Sequence, residues 1–332
     1  MRRLIAGVVA GIIGMATLPA AADGFPARDL QGIIMWGPGG TTDKLARVLT
    51  PIVEEKLGRK VVLVNKAGGS GAISAQYVHA RPADGYTILY GSESPQIHGV
   101  LGLSNISYKD FVALAIFADT TPTVLVRNDA PWKSLADLVA AMKAEPGKIR
   151  MGSTGPAGTA AIVGTMLKMS AGVTYADVPF EGEGPTLTAL QGGHIDFTPV
   201  TYPAASELIR SGKVRVLTVV HPTPYAPLPD VPPVVADYPE LAKYLPWGPF
   251  QGVFVRRDTP PDVVGALTAA YRAAAADPRF VGFVKDLGAT HILVSGAEAD
   301  ALVTRWQSIT SWLLDAAGAA KVSPASLGIP RP

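Results

Sequence analysis

Two stretches decide the reading of this chain. One is Ile33-Ile34-Met35-Trp36 followed by Gly37-Pro38-Gly39-Gly40-Thr41-Thr42-Asp43; the other is Ile149-Arg150-Met151 followed by Gly152-Ser153-Thr154-Gly155-Pro156-Ala157-Gly158-Thr159. Each apolar run has the length of a short buried strand, and each tail passes through glycines into a helical pattern. Glycine lets the backbone come close to a ligand, and the first turn of a helix points unpaired N–H groups at it. A single junction of this kind is commonplace in α/β domains, where glycine serves turn geometry alone. Two of them, in different halves and each rich in hydroxyls, point to a pair of anion cradles gripping one ligand from both sides.

Outward from these junctions, strands and helices alternate. Ile33–Trp36, Val61–Val64 and Thr87–Tyr90 read as strands. Asp43–Leu57 reads as an amphipathic helix ending at Gly58, and a second helix runs from the Gly68-Gly69-Ser70-Gly71 turn through Val78. This is the βαβ rhythm of an open parallel sheet. The runs Phe111–Phe117 and Thr123–Val126 carry the chain onward. A helix over Ser134–Ala144 is capped by Ser134 and stopped before Pro146. A helix through Met169, a strand over Val173–Pro179 and a short helix over Pro185–Gln191 follow the second cradle. Residues 221–249 hold Pro222, Pro224, Pro227, Pro229, Pro232, Pro233, Pro239, Pro246 and Pro249, which excludes a helix or central strand and predicts a long surface excursion. Gly252–Val255 returns as a strand, and helices are expected over Pro261–Ala276, Phe280–Leu287 and Ala297–Ala317. The alanine-rich helix needs no reading beyond propensity. The expected organisation is a leader over 1–22, a discontinuous first domain over 23–123 plus 248–332, and a second domain over 124–247. Two crossovers of this kind form a hinge suited to closure around a ligand.

The chain has 332 residues, 48% of them hydrophobic, enough for two cored domains. Charged residues are only 17%, which argues against long disordered segments. Arg2 and Arg3 account for the formal charge of +2, so the chain from Asp23 onward is balanced and gives no reason to expect nucleic acid. Residues 1–22 read as a secretory signal peptide. Arg2-Arg3 is the basic start, Leu4–Leu18 the apolar stretch, and Ala20-Ala21-Ala22 the cleavage region. With no cysteine in the chain, disulfides, thiolate metal sites and a lipid-anchor cysteine are all excluded.

Catalytic signatures are missing. There is no G-x-S-x-G elbow, which Gly68-Gly69-Ser70-Gly71-Ala72 fails by register, no H-E-x-x-H and no phosphate loop. The histidines His79, His98, His194, His221 and His291 have no metal spacing. No catalytic residue, metal or cofactor is therefore expected. Thr41, Thr42, Ser153, Thr154 and Thr159 can each donate an O–H beside backbone N–H groups. Hydrogen bonds to a charged group contribute about 1.5–3 kcal/mol each, so a few would support micromolar binding of an anion without Arg or Lys. Asp43 is read as the acid of a helix start rather than a ligand contact.

These residues resemble a known family. Trp36-Gly37-Pro38-Gly39-Gly40-Thr41-Thr42-Asp43 is similar to the F-P-x-G-G-G-T-D loop of the extracytoplasmic solute receptors of tripartite tricarboxylate transporters, the TctC or Bug type. The stretch Leu57–Gly71 is similar to L-G-Q-P-V-V-V-E-N-R-P-G-A-G-G, Pro82–Thr87 to P-P-D-G-Y-T, Gly152–Thr159 to S-S-G-x-G-T, and Leu228–Pro232 to L-P-D-V-P, all in the family's order. The resemblance implies two α/β domains in a periplasmic-binding-protein (Venus-flytrap) architecture, closing over a small organic carboxylate in the periplasm. It also implies delivery of that ligand to membrane permease subunits by a receptor that is monomeric by default. Carried over residue by residue, the ligand contacts are Gly39, Gly40, Thr41 and Thr42 in the first domain and Ser153, Thr154, Gly158 and Thr159 in the second. Ser92 and Ser94 match the G-S-N-G-T loop only in part, because Glu93 replaces its Asn; of the two, Ser92 is carried over as a ligand contact.

Other departures bear on specificity. Phe180-Glu181-Gly182 puts Glu181 where the family has Lys, and Glu183 follows where Gly is usual. Pro199-Val200-Thr201 replaces F-D-N and loses its Asp, which disfavours an amino-acid ligand. Trp36 and Trp247 are open between the cleft mouth and ordinary packing. Two other readings stay in competition: a secreted α/β hydrolase or lyase, and a sensory protein presenting its ligand to a membrane kinase.

Overall fold

Alternating strands and helices build two sheets in the computed structural model, which describes residues 24–332; the expected leader lies outside the described residues. The first half contributes β1 (Leu30–Ile34), α1 (Thr41–Leu57), β2 (Val61–Asn65), α2 (Ala72–His79), β3 (Thr87–Ser92), β4 (Phe111–Asp119), β5 (Pro122–Arg127) and α3 (Leu135–Ala144). Then come β6 (Arg150–Ser153), α4 (Thr159–Ala171), β7 (Ala176–Pro179), α5 (Glu183–Gln191), β8 (Phe197–Thr201), α6 (Tyr202–Arg210) and β9 (Val214–Val219). The chain ends with β10 (Phe250–Arg256), α7 (Pro261–Ala275), α8 (Pro278–Asp286), β11 (Thr290–Val294) and α9 (Gly296–Ala316).

The six-stranded sheet runs β11-β4-β10-β3-β1-β2, and the five-stranded sheet runs β7-β6-β8-β5-β9. The chain crosses from one to the other between β4 and β5 and returns between β9 and β10. Neither sheet is wholly parallel. Only β2-β1-β3 and β7-β6-β8 are parallel, while β10 pairs antiparallel with β3 and β4, and β5 antiparallel with β8 and β9. Parallel neighbours need a crossover helix; a strand that arrives from the other sheet has none to hold it parallel.

Helix starts follow the expected chemistry. Ser134 accepts from the Asp137 N–H while Asp137 accepts from the Ser134 N–H, a reciprocal cap that fixes α3. The apolar stripe Leu45, Leu49, Ile52 and Val53 of α1 packs with Leu267, Tyr271 and Ala274 of α7 on one face of the larger sheet. The alanines of α7 are therefore packing residues as well as helix formers. Fully burying each of these aliphatic side chains is worth about 1.5–3 kcal/mol, which fixes α1 and so aims its N-terminus. Tyr90 ties this layer together, its hydroxyl lying 2.9 Å from Thr50 Oγ1 and 2.8 Å from the Tyr271 hydroxyl.

Two features go beyond what the sequence pattern specified. The proline-rich segment runs largely along the surface, as expected, but it is anchored: it forms short 3₁₀ turns at Val234–Ala236 and Pro239–Tyr244, and it buries Val234, Leu241, Tyr244 and Trp247 in the main core. The prolines bar regular structure, but the apolar residues between them still bury. The central strand β8 carries Pro199, a residue that argues against such a position. Its register with β6 is confined to Met151 opposite Phe197, so the missing N–H costs the ladder little.

Candidate functional site

The two glycine junctions meet. In the first, Gly40 is extended just before α1; in the second, Gly158 is extended just before α4, and neither helix has a capping side chain from its own N-cap residue. Between them lies a cavity of about 20 Å³ lined by Trp36, Gly40, Thr41, Thr42, Ser92, Glu93, Thr154, Thr159, Glu183, Thr201, Pro249 and Gln251. That volume holds about one water molecule. Admission of a multi-atom solute therefore requires the two loop sets to part.

Of the residues expected from sequence, Gly40, Thr41, Thr42, Ser92, Thr154 and Thr159 stand on the cavity wall. Gly39, Ser153 and Gly158 do not line it. The Gly39 N–H donates to Asp43 Oδ2 at 3.0 Å. Ser153 is fully buried and its Oγ has no partner among the described residues. Gly158 has to be glycine for a local reason, since a Cβ there would collide with Thr154 Oγ1 and displace that hydroxyl from the wall. Asp43 is a structural acid. It accepts from Gly39, from Arg47 Nε at 3.0 Å and from Asn65 Nδ2 at 2.9 Å. Burial pushes its carboxyl up, but these donors together outweigh burial and hold it below the ordinary carboxylate value.

Sequence reasoning did not place six wall residues. Trp36 was open between two roles; its indole N–H donates to Ser92 Oγ at 2.9 Å and its ring lines the cavity. Trp247 does not line it: buried, it donates to Thr310 Oγ1 at 2.9 Å beside Trp306. Gln251 accepts from Thr42 Oγ1 at 2.7 Å and holds that hydroxyl in place. A lone glutamine in the apolar run Phe250–Val255 was the available signal. Glu93, Glu183 and Thr201 stood out only as departures from a pattern. Pro249 gave no signal.

The acids give the cavity its character. Glu183 Oε2 accepts from the Thr41 N–H at 3.2 Å, and Oε1 accepts from the Thr201 N–H at 2.7 Å and from Thr201 Oγ1 at 2.8 Å. Thr201 Oγ1 also lies 2.6 Å from Thr41 Oγ1. Glu93 is 2% exposed, and its Oε2 has no partner among the described residues. Burial, with a smaller push from the Glu183 charge, raises its carboxyl to about 8, so it is largely protonated at neutral pH. Among the described residues the wall carries no Lys, Arg or His.

Further contacts join the two sheets around the cavity. The Gly37 N–H donates to Glu181 O at 2.6 Å, and Lys44 Nζ to Ala204 O at 3.0 Å. Ser94 Oγ donates to Ala157 O at 2.9 Å. Ser70 Oγ donates to Thr154 O and accepts from the Ala157 N–H, both at 3.2 Å. Among the described residues no cluster of three or more His, Cys, Asp or Glu could hold a metal ion, and no helix is long and apolar enough to cross a membrane.

Comparison with known proteins agrees with this geometry. A family model described as the tripartite tricarboxylate transporter family receptor, TctC, matches residues 45–306. Protein BugT of Bordetella pertussis is 30% identical over 321 residues, covering 93% of this chain and 97% of BugT. Among solved structures, the periplasmic binding protein BugD superposes with a TM-score of 0.83 at 27% identity, covering 89% of this chain and 99% of BugD. Rpa4515 of R. palustris, solved with adipate, superposes with a TM-score of 0.81 at 26% identity, covering 89% of this chain and 99% of that one. The fold is thus that of the two-domain periplasmic binding proteins.

Proposed function

The chain belongs to the tripartite tricarboxylate transporter receptor family, TctC, and on that premise we propose that it is a periplasmic receptor that captures a small organic carboxylate and hands it to the transporter's permease subunits. The observation that carries this reading is the facing pair of helix N-termini, those of α1 and α4, on the wall of one cavity with hydroxyls from both sheets. Each helix start brings the positive end of its dipole to the cavity, and at α1 the Thr41 N–H already holds a carboxylate, that of Glu183. The adipate of the Rpa4515 structure supports a carboxylate as the ligand class.

In this reading residues 23–123 plus 248–332 form one domain and 124–247 the other, and they part and close about the crossovers. The closed form alone brings Thr41, Thr42 and Ser92 to the same ligand as Thr154 and Thr159. Ligand therefore shifts the equilibrium towards closure by its extra affinity for that form. The chain acts as a monomer, exported with its leader removed near Ala22, and performs no chemistry on its cargo. The test is a thermal-shift screen of residues 23–332 against mono-, di- and tricarboxylates, followed by mass spectrometry of the bound acid. At 100 times its dissociation constant a ligand adds about 2.7 kcal/mol, a clear upward shift. A selective shift with the acid recovered unchanged is expected. No shift with any acid, or conversion of the acid to product, overturns the reading.

A further inference from the structure

One of the two cradles is engaged by the protein's own carboxylate. Glu183, the first residue of α5, reaches across from the smaller sheet to the start of α1, where Oε2 takes the Thr41 N–H. Its other oxygen takes the Thr201 N–H and hydroxyl at 2.7 and 2.8 Å. These are three hydrogen bonds to one carboxylate: one from the α1 start, through the Thr41 N–H, and two from Thr201, the last residue of β8 and the one that leads into α6, so the carboxylate bridges the first turn of α1 and the smaller sheet. At the α4 start, by contrast, no side chain among the described residues takes the Thr159 or Ala160 N–H.

Resting on the receptor reading above, we propose that Glu183 is the specificity-determining residue of this cleft: it fills the α1 cradle from within, so the site takes monocarboxylates at the α4 cradle and turns dicarboxylates away. Two independent features point the same way. Glu93 stands on the same wall, 2% exposed, with Oε2 unpartnered among the described residues and so able to meet a ligand's uncharged polar end. Second, among the described residues the wall has no Lys, Arg or His to neutralise another negative charge. A second ligand carboxylate has to evict Glu183 from all three donors or sit beside it in a water-poor site. Like charges held together in such a site repel strongly. The rest of the ligand is accordingly uncharged and faces Trp36, Pro249 and the hydroxyls.

The experiment is isothermal titration of residues 23–332 with chain-matched acids, hexanoate against adipate and butyrate against succinate, for the native protein, Glu183→Gly and Glu183→Gln. The native protein is expected to prefer the monoacid of a pair at least tenfold. Glu183→Gly frees the α1 cradle and should tighten diacid binding at least tenfold while changing monoacid binding less. Glu183→Gln keeps the size of the side chain and removes its charge, so a partial gain is expected; it also carries the comparison if the glycine variant does not fold. Native protein that binds diacids as tightly as their monoacid partners overturns the inference and leaves the receptor reading standing. So does a mono-to-diacid ratio that neither variant moves. If none of the three proteins binds any acid of either class, the receptor reading falls and this inference with it.

Discussion

Replacing Gly184 with alanine should block closure while leaving both domains folded. Gly184 sits in the first turn of α5, and a Cβ there would collide with the carbonyl oxygen of Pro38 and lie 3.2 Å from both the carbonyl carbon and the Cα of Gly39. All three atoms are backbone and cannot turn aside. Reaching ordinary van der Waals distance requires the two loops to separate by about 1 Å. The hydrogen bonds spanning the same gap, Gly37 N–H to Glu181 O and Thr41 Oγ1 to Thr201 Oγ1, are both 2.6 Å long. Stretched by that amount they reach about 3.6 Å and cease to be hydrogen bonds. Two such losses cost the closed form about 1–3 kcal/mol. If only the closed form grips the ligand, affinity falls by about 5–150-fold. The assay is titration with the best acid from the screen, alongside the melting temperature of the protein without acid. Gly265 in α7, where a Cβ meets nothing within 4 Å, supplies the control Gly265→Ala, with native affinity expected. Native affinity in Gly184→Ala refutes the reasoning. A large fall in its melting temperature also refutes it, because the contact would then hold the fold together rather than the closed state.

Glu93 predicts an unusual pH dependence. Its folded-state value of about 8 lies above the ordinary 4.5, so the folded protein keeps a proton that the unfolded chain releases. Stability should therefore fall as pH rises from about 4.5 to about 8 and level off beyond, by an amount on the order of a few kcal/mol. Denaturant unfolding of Glu93→Gln should lose that slope; an identical slope in the variant assigns it to other groups. Trp36 lines the cavity and Trp247 is bound to Thr310 in the core. Ligand-induced fluorescence change should accordingly disappear in Trp36→Phe and persist in Trp247→Phe, and the opposite pattern would place the ligand elsewhere.

The strand–glycine–helix junctions were legible because local chemistry alone specifies them. Gly37–Thr42 and Gly152–Thr159 announce close backbone approach and a helix start without help from distant residues. The cap at Ser134 and the stop at Gly58 were readable for the same reason. What escaped was set by long-range pairing. Pro199 hid β8, since a proline in an all-buried strand is tolerated only where pairing on one side is nearly absent. Gln251 and Pro249 reach the cavity because β10 returns from the second sheet and inserts between β3 and β4. No local signal encodes that insertion. Trp36 and Trp247 are equally apolar in sequence, and only the packing of Trp247 against Trp306 separates their roles. Glu183 was visible as an oddity, but its partner Thr41 lies 142 residues away.

The central claim, that two domains close over a carboxylate, is tested most directly by small-angle X-ray scattering of residues 23–332 with and without a saturating amount of the best-binding acid. The account predicts that the radius of gyration falls on addition of the acid in the native protein and stays at its larger value in Gly184→Ala. An unchanged radius in native protein that demonstrably binds the acid would contradict closure as the means of capture.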